Sequence, residues 1–560
     1  MSRFNHLHYR PFAFAPHLPD RQWPNKSITQ APRWVSVDLR DGNQALIDPM
    51  TIEQKLRFFQ LLVACGFKEI EIGFPSASQI EFDFTRLLIE AGHIPDDVTI
   101  QVLVQAREHL IDRTFEALQD VKRAIVHIYN SISRVQREKV YEKSQAEITE
   151  IAIEGASLLK ERAARYPNSE WIFEYSPESF SQTEPEFAVS VCEAVCQIWQ
   201  PWNGQKVILN LPNTVECSTP NLYADQIEYF CRHLSCREHV CISIHTHNDR
   251  GCAVAASELA VMAGADRVEG TLLGNGERTG NMDIMVMAMN LYSQGIDPKL
   301  DFSKMNDIVR VVSECNNLPV HPRHPYIGEL VFTAFSGSHQ DAIKKSLEKE
   351  PHDIWDIAYL PINPLDIGRS YQDVVSINSQ SGKGGVAYIL ARDYGLNVPR
   401  WLQIDFAQKV QAESERTQKE LSSQNIITLF ENSYLHDSPL RLEDYTIRRH
   451  GQNEHQLEAK LIQPDNSTTT IHGNGSGAMS AFVDALQRYS NLSINVANYA
   501  EHAMSKATDA QAVAYVQLMI GEHLYTGIAY SQDTVSAMLR ATLVAIGQAT
   551  QKTHRSHAIS

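Results

Sequence analysis

Two histidines, His245 and His247, stand two residues apart in the segment Val240-Cys-Ile-Ser-Ile-His-Thr-His-Asn-Asp249. The first half of this segment alternates its side chains as a β-strand does, and residues two apart on a strand share a face. Both imidazoles can therefore reach one metal ion, and the polar residues that follow predict a loop at the carboxyl end of the strand. On this segment alone, two hydrogen-bonded structural histidines remain the alternative.

The strand that carries these histidines is one of eight predicted strands that alternate with helical patterns. The predicted strands span residues 34–39, 69–73, 98–104, 124–129, 171–175, 206–211, 240–245 and 267–272. A first helix is expected over 51–65, with a capping box formed by Thr51 and Gln54 and an end at Gly66. Eight such units in about 250 residues predict an α/β fold, a (β/α)₈ TIM barrel. A doubly wound sheet is the alternative, but no Gly-x-Gly-x-x-Gly follows the first strand.

The alternation of strands and helices stops after the barrel, so the chain divides into regions. We expect an N-terminal arm at 1–30, the catalytic barrel at 31–320, helical linker subdomains at 321–437 and a C-terminal α+β regulatory domain at 438–560. Within the last region, a strand, a glycine-rich turn and a helix recur weakly. Such a repeat predicts a pseudo-symmetric ligand-binding module.

The composition is that of an ordinary globular protein: 560 residues, 43% hydrophobic and 21% charged. The net charge of −17 argues against binding to nucleic acid or to anionic membranes. No apolar run is long enough to span a membrane, and the chain does not start with an apolar signal core. Nine cysteines without a C-x-x-C pair favour a reducing cytoplasm.

Two further residues, Asp41 and Asn281, follow the first and eighth strands of the predicted barrel. Active sites of such barrels lie at the carboxyl ends of the strands, and closure makes strands seven, eight and one neighbours. We therefore expect Asp41, His245, His247 and Asn281 to converge on one ion. This ligand set suits a divalent cation (Mg²⁺, Mn²⁺ or Zn²⁺) that chelates a 2-oxo acid and polarises its ketone.

Two charged residues beside this site have open roles. Arg40 precedes Asp41 and is expected to stabilise a developing alkoxide, or to form an ion pair with Asp41 or a neighbouring glutamate. Glu178 follows the fifth strand and belongs to a general-base system, or is a buried structural carboxylate.

Two segments carry a family resemblance. The segment Leu39-Arg-Asp-Gly-x-Gln44, with Lys55 after ten intervening residues, resembles the first signature of the isopropylmalate/homocitrate synthase family. The segment Ile242-x-x-His-x-His-Asn-Asp-x-Gly251 resembles the second signature. Residues 38–48, 173–179 and 376–385 are most similar to the long form of the 2-isopropylmalate synthases, and the resemblance covers nearly the whole chain.

The resemblance implies the same four metal ligands, with Mg²⁺ as the first expectation and K⁺ as a candidate activator. It implies a 2-oxo acid pocket lined by Arg40, Leu103, His127, Ser176, Thr214 and Tyr371. It also implies that Glu178 acts with His339, which reaches the active site of the other subunit in a homodimer.

The implied reaction condenses acetyl-CoA with 2-oxoisovalerate and water to give 2-isopropylmalate and CoA, the first committed step of leucine biosynthesis, with leucine as effector. The family usually reads Gly-x-Gly-Pro in the first turn of its leucine-sensing domain, whereas this chain has Gly473-Asn-Gly475-Ser-Gly477. Three alternatives stay open: homocitrate or citramalate synthesis from another 2-oxo acid, a metal-dependent lyase, and a leucine sensor without catalysis.

Overall fold

The computed structural model describes residues 12–349, 354–369, 383–417, 421–450, 454–504 and 511–557. These residues form two compact units, the first ending at Val331 and including Pro364–Arg369, and the second holding the rest. Tyr371, expected in the substrate pocket, lies outside the described residues. The finer division into arm, linker and regulatory domain stays a prediction.

The first unit contains a closed barrel of eight parallel strands in sequential order, so the predicted TIM barrel is confirmed. Its strands are β1 Arg33–Ser36, β2 Glu69–Gly73, β3 Thr99–Gln105, β4 Arg123–Ser131, β5 Glu170–Glu178, β6 Val207–Asn213, β7 Cys241–Thr246 and β8 Arg267–Gly270. Its helices are α1 Ile52–Ala64, α2 Gln79–Glu90, α3 Glu108–Ala117, α4 Arg134–Gln136, α5 Gln145–Ala163, α6 Pro185–Trp199, α7 Pro220–His233, α8 Ala253–Ala263, α9 Ile284–Tyr292 and α10 Met305–Asn316. Pairing of β1 with β8, which sets Val35 opposite Glu269, closes the barrel.

The first helix begins as the sequence predicts. The Thr51 side chain accepts a hydrogen bond from the Gln54 backbone N–H, and the Gln54 side chain accepts one from the Thr51 backbone N–H. The helix packs Phe58, Phe59 and Leu62 into the core, where all three are fully buried. It gives way to a turn at Gly66, whose φ of +98° favours glycine.

The first strand is shorter than predicted, and this changes how the residues after it are held. The backbone N–H of Val37 donates to the carbonyl of Gly270, where β8 ends, so β1 has no strand partner further on. The chain then forms a π-helical turn over Asp38–Gly42. The prediction of a strand up to Leu39 is therefore wrong, and the turn, not a strand, carries the loop residues Arg40 and Asp41.

The interior of the barrel holds a buried ionic cluster around Arg267, whose side chain is fully buried. The Arg267 guanidinium lies 2.6 Å from Glu69, 3.2 Å from Glu174 and 2.9 Å from Glu269. Burial raises the pKa of Glu174 well above its usual range, although Arg267 acts in the opposite direction. Buried charges are costly unless paired, so this cluster fixes its members in one arrangement.

The described part of the N-terminal arm packs on its own barrel. The Trp23 indole is buried and its Nε1–H donates to Asp225 Oδ1 on α7 at 2.7 Å. The backbone N–H groups of Gln22 and Trp23 donate to the Glu228 carboxylate on the same helix. These contacts hold residues 22–23 against the barrel wall.

The second unit begins with helices α11 Gly337–Leu347, α12 Lys383–Tyr394, α13 Arg400–Thr417 and α14 Ser423–Tyr434. It continues with two similar halves, each of three antiparallel strands followed by a helix. The halves consist of β9 Arg441–His450, β10 Glu454–Ile462, β11 Thr468–Gly475 and α15 Ala478–Ser490, then β12 Ile494–Ala503, β13 Ala512–Ile520, β14 His523–Ser531 and α16 Thr534–His557. The weak repeat in the sequence corresponds to these halves, whose apolar faces share one core.

Close packing of a strand on a helix requires one glycine in each half of the second unit. A Cβ on Gly473 would overlap the Ala481 carbonyl oxygen of α15, and a Cβ on Gly527 would overlap the Ala541 carbonyl oxygen of α16. The strands therefore approach these helices more closely than any other residue allows. Across the described ranges, we find no helix with the length and apolar content that crossing a membrane requires.

Candidate active site

The carboxyl ends of the barrel strands surround a cavity of about 260 Å³. Strands β4, β5 and β6 extend two or three residues further toward this end than predicted. Residues at the rim of the cavity that were expected in loops therefore belong to these strands. The cavity is lined by nine of the residues selected from the sequence: Arg40, Asp41, Leu103, His127, Ser176, Glu178, Thr214, His245 and His247.

Three of these side chains converge on one point. Asp41 Oδ2 lies 3.1 Å from His245 Nε2 and 3.6 Å from His247 Nε2, and the two Nε2 atoms are 3.3 Å apart. Ligand atoms that share an ion at about 2.0–2.2 Å lie roughly 3–3.5 Å from each other. The spacing of the three side chains is therefore that of a metal-binding group, and all three are buried.

The fourth predicted ligand, Asn281, joins this group through a backbone bridge to His247. Asn281 Oδ1 is a buried acceptor that has no hydrogen-bond donor among the described residues, and Asp41 Oδ2 is faced by the two imidazole Nε2 atoms. A buried oxygen without a donor is unfavourable unless a cation or water meets it. This orphaned amide oxygen, together with the Asp41 carboxylate and the two imidazole nitrogens, fits a bound divalent cation.

The two imidazoles differ in protonation. Burial alone would lower the pKa of His245, but the carboxylates of Asp41 and Glu269 raise it to about 9. Burial and the neighbouring His245 lower the pKa of His247 to about 4. Without a bound cation His245 is therefore an imidazolium and His247 a neutral imidazole at neutral pH, and a metal ion would supply the positive charge in place of the extra proton on His245.

Glu269, which the sequence analysis missed, lies behind His245. Its Oε2 is 2.9 Å from His245 Nδ1, so the Nε2 of the same ring faces Asp41. A carboxylate in this position fixes the orientation of a metal-binding histidine. The available signal was a carboxylate within the short strand Arg267–Gly270, where solvent contact is not expected.

Glu71 is a second missed carboxylate, and it holds Arg40. The Arg40 Nε–H donates to Glu71 Oε1, while Arg40 Nη1 lies 3.2 Å from Asp41 Oδ1. Burial would lower the pKa of Arg40, but Glu71 and Asp41 raise it, so the guanidinium stays charged. The ion pair that was one of the two roles open to Arg40 is therefore present. The Arg40 side chain also lines the cavity.

The opposite wall is a hydrogen-bonded set of side chains around Ser176. His127 Nε2 lies 2.7 Å from Ser176 Oγ, which also accepts a hydrogen bond from Asn210 Nδ2 at 3.0 Å. Thr214 Oγ1 accepts from the Ser179 backbone N–H at 2.9 Å, which leaves the Thr214 hydroxyl proton for another acceptor. Leu103 provides an apolar surface on the same cavity.

The two residues expected to act as a base lie in different units. Glu178 ends β5 and accepts a hydrogen bond from Ser131 Oγ at the cavity rim. His339 lies in α11 of the second unit, where its ring stacks on Tyr359 with centroids 4.0 Å apart. Sequence patterns gave no signal for His339, which was selected from the resemblance alone.

Comparison with known proteins covers almost the whole chain. Residues 31–312 match the HMGL-like family, residues 329–391 match the alpha-isopropylmalate synthase post-catalytic domain-like family, and residues 420–550 match the LeuA allosteric (dimerisation) domain. The chain is 54% identical over 550 residues to 2-isopropylmalate synthase of Alcanivorax borkumensis, covering 97% of this chain and 98% of that protein. It is 52% identical over 551 residues to 2-isopropylmalate synthase of Rhodospirillum rubrum, covering 97% and 99% respectively.

Among solved structures, HMG-CoA lyase of Bacillus subtilis is 18% identical, with a TM-score of 0.42, and covers 52% of this chain and 96% of its own. The two 2-isopropylmalate synthases above 50% identity match this chain over the barrel and the second unit alike. The chain belongs to the 2-isopropylmalate synthase family.

Proposed function

We propose that this chain condenses acetyl-CoA with 2-oxoisovalerate and water to give 2-isopropylmalate and CoA, the first committed step of leucine biosynthesis. The observation that carries the proposal is the convergence of Asp41, His245 and His247 within 3.6 Å of one another in a cavity that Arg40 and Glu178 also line. The family of the chain supports the same reaction.

Asp41, His245, His247 and Asn281 are the residues that would hold a divalent cation. The family resemblance implies Mg²⁺ first, with Mn²⁺ and Zn²⁺ as alternatives, and K⁺ is a candidate activator. When bound, the cation supplies Lewis-acid polarisation of the 2-oxo acid ketone. The Thr214 hydroxyl proton and the hydrogen-bonded His127 and Ser176 pair orient the carboxylate of the acid. Leu103 contacts its isopropyl group.

Glu178, together with His339, removes a proton from the acetyl methyl group. The resulting enolate carbon forms a bond to the ketone carbon, and the ketone oxygen becomes an alkoxide. Arg40, held by Glu71, faces this oxygen and stabilises its charge. The alkoxide takes up the proton that the base removed and becomes the hydroxyl group of the product. Water then cleaves the thioester, which releases CoA as a thiol, the second carboxylate of the product and one proton. Holding both substrates in one site supplies much of the rate.

We also propose that His339 acts from the partner subunit of a homodimer, and that leucine binds the second unit as a feedback effector near Gly473, Gly475 and Gly477. The match of residues 420–550 to an allosteric and dimerisation domain supports both statements. A purely degradative lyase has no need of such a domain, which favours the biosynthetic direction.

The test is thiol release from acetyl-CoA with 2-oxoisovalerate, 2-oxoglutarate and pyruvate, each with and without leucine. We expect the highest kcat/KM with 2-oxoisovalerate, and discrimination of about 1–3 kcal/mol for each methylene changed. A preference for pyruvate or 2-oxoglutarate would transfer the proposal to citramalate or homocitrate synthesis. Thiol release with none of these acids would remove the synthase proposal.

A further inference from the structure

A second, smaller cavity lies on the barrel rim next to the active site. It has a volume of about 140 Å³ and is lined by residues that include Gln105, Arg107, Tyr129, Ser131 and Tyr141. Tyr129 lines both this cavity and the larger one, and its hydroxyl accepts a hydrogen bond from Gln105 Nε2 at 3.1 Å. The two cavities are therefore neighbours with one shared side chain.

Glu178 fixes where the acetyl group of the second substrate must lie. Its carboxylate lines the larger cavity, and Ser131, which donates a hydrogen bond to it, lines the smaller one. An acetyl methyl that reaches Glu178 therefore has its thioester close to Ser131 and Tyr129. The rest of coenzyme A has to leave the site, and the smaller cavity is the opening beside this point.

We propose that the smaller cavity receives the pantetheine arm of acetyl-CoA, and that the adjoining segment 134–143 binds its nucleotide. This inference rests on the proposed function, because it places the second substrate of that reaction.

The segment 134–143 is held rigidly on the barrel. Arg137 is buried, and its guanidinium forms two hydrogen bonds to the Glu184 carboxylate at 2.8 and 3.0 Å. The same guanidinium stacks over the Phe187 ring, 4.9 Å from its centroid. Ser133 caps the first turn of the segment through the Gln136 backbone N–H. The exposed side chains of the segment thus project from a fixed backbone, which lowers the entropy lost on binding.

The charge of this region suits a polyanion. The segment carries four basic and two acidic side chains in a chain whose net charge is −17. Arg107, Arg134 and Lys139 are exposed, and within the described part of the chain no carboxylate lies at ion-pair distance from any of them. Unpaired guanidinium and ammonium groups bind phosphate oxygens, and coenzyme A carries a diphosphate and a 3′-phosphate.

The same segment also exposes apolar surface beside those charges. Val135, Val140 and Tyr141 have exposed fractions of 51%, 66% and 41%. An adenine ring provides a π face for an aromatic side chain such as Tyr141, and the gem-dimethyl group of pantetheine provides apolar contact. Basic and apolar groups together match a nucleotide with a hydrocarbon arm better than a free phosphate.

The test compares two double variants of the full-length protein that remove the same charge. R134A/K139A alters the proposed nucleotide surface, and K68A/K122A alters exposed lysines whose partners are Asp97 and Asp96 at the other end of the barrel. Each protein is assayed by thiol release with acetyl-CoA and with S-acetylpantetheine, which lacks the nucleotide. Calorimetry measures CoA binding without turnover.

For R134A/K139A we expect KM for acetyl-CoA and Kd for CoA to rise by about tenfold, with steeper salt dependence in the wild type than in the variant. The KM for 2-oxoisovalerate and the kcat/KM with S-acetylpantetheine should stay within about twofold of wild type. K68A/K122A should match wild type in every assay. An unchanged KM for acetyl-CoA in R134A/K139A, or an equal loss with S-acetylpantetheine, would overturn the inference. A wild type that releases no thiol would instead remove the proposed function.

Discussion

Glu269 contacts His245 Nδ1 at 2.9 Å, and this contact decides which nitrogen His245 presents to the barrel mouth. The Nε2 atom of the same ring is left facing Asp41 Oδ2 at 3.1 Å. Glu269 is in turn held by Arg267 at 2.9 Å in the buried ionic cluster of the barrel. The geometry of the proposed metal site therefore depends on carboxylates below the cavity as well as on residues that line it.

The first prediction concerns Glu269→Gln, which keeps the size of the side chain and removes its charge. We expect the metal affinity, measured by calorimetry on metal-depleted protein, to fall by about 10–100-fold, because the His245 ring loses its orienting carboxylate. High metal concentration should restore much of the turnover. Glu69→Gln is the control, since Glu69 also pairs with Arg267 but does not contact His245. Equal losses in the two variants would show that the buried cluster acts only through stability.

The second prediction concerns pH. In the cation-free protein the pKa of His245 is raised to about 9, so the ring holds a proton at neutral pH that a metal ligand must lose. The pKa of His247 is lowered to about 4, so this ring is already neutral there. The Kd for the metal should therefore rise by about tenfold for each unit that the pH falls from 8 to 6. Calorimetry in buffers of different ionisation enthalpy should detect one proton released for each ion bound; a Kd independent of pH would contradict this assignment.

The third prediction concerns Arg40→Lys. Lysine keeps a positive charge beside Glu71 and Asp41 but lacks the planar group that contacts both carboxylates and faces the cavity. We expect kcat to fall by about 100–1,000-fold, with a much smaller change in the KM for 2-oxoisovalerate. Thermal unfolding checks that the variant is folded. A kcat close to wild type would assign Arg40 to the structural ion pair alone.

The fourth prediction concerns the glycines of the second unit. Gly473→Ala and Gly527→Ala place a Cβ against the helix backbone and should destabilise this unit by about 1–3 kcal/mol. We expect both variants to retain thiol release and to lose inhibition by leucine. Gly477→Ala is the control for stability alone and should unfold as wild type does, because a Cβ there meets no atom within 4 Å and its φ of −163° suits any residue. Normal leucine inhibition of Gly473→Ala would show that effector binding does not depend on the close strand–helix contact.

The sequence predicted the barrel from its repeated strand–helix pattern, and it predicted the metal group from strand alternation and the closure of that barrel. Alternation within one strand places His245 and His247 on a common face, and barrel closure brings Asp41 beside them. Glu71 and Glu269 were missed, because a carboxylate in a strand gives no sign of which buried cation or imidazole it meets across the barrel. The π-helical turn after β1 was missed as well, because it depends on where β8 stops. Selection of His339 needed the family resemblance, since its sequence neighbourhood carries no pattern.

The most direct test of the account is thiol release by His245→Ala, assayed with 2-oxoisovalerate in metal-depleted buffer and after addition of Mg²⁺. Wild type should lose activity on metal depletion and regain it with Mg²⁺, while the variant stays inactive in both buffers, although its thermal unfolding shows a folded protein. Asp41→Ala should behave in the same way. Turnover by His245→Ala at a rate close to that of Mg²⁺-loaded wild type, in either buffer, would contradict the metal site on which the proposed reaction rests.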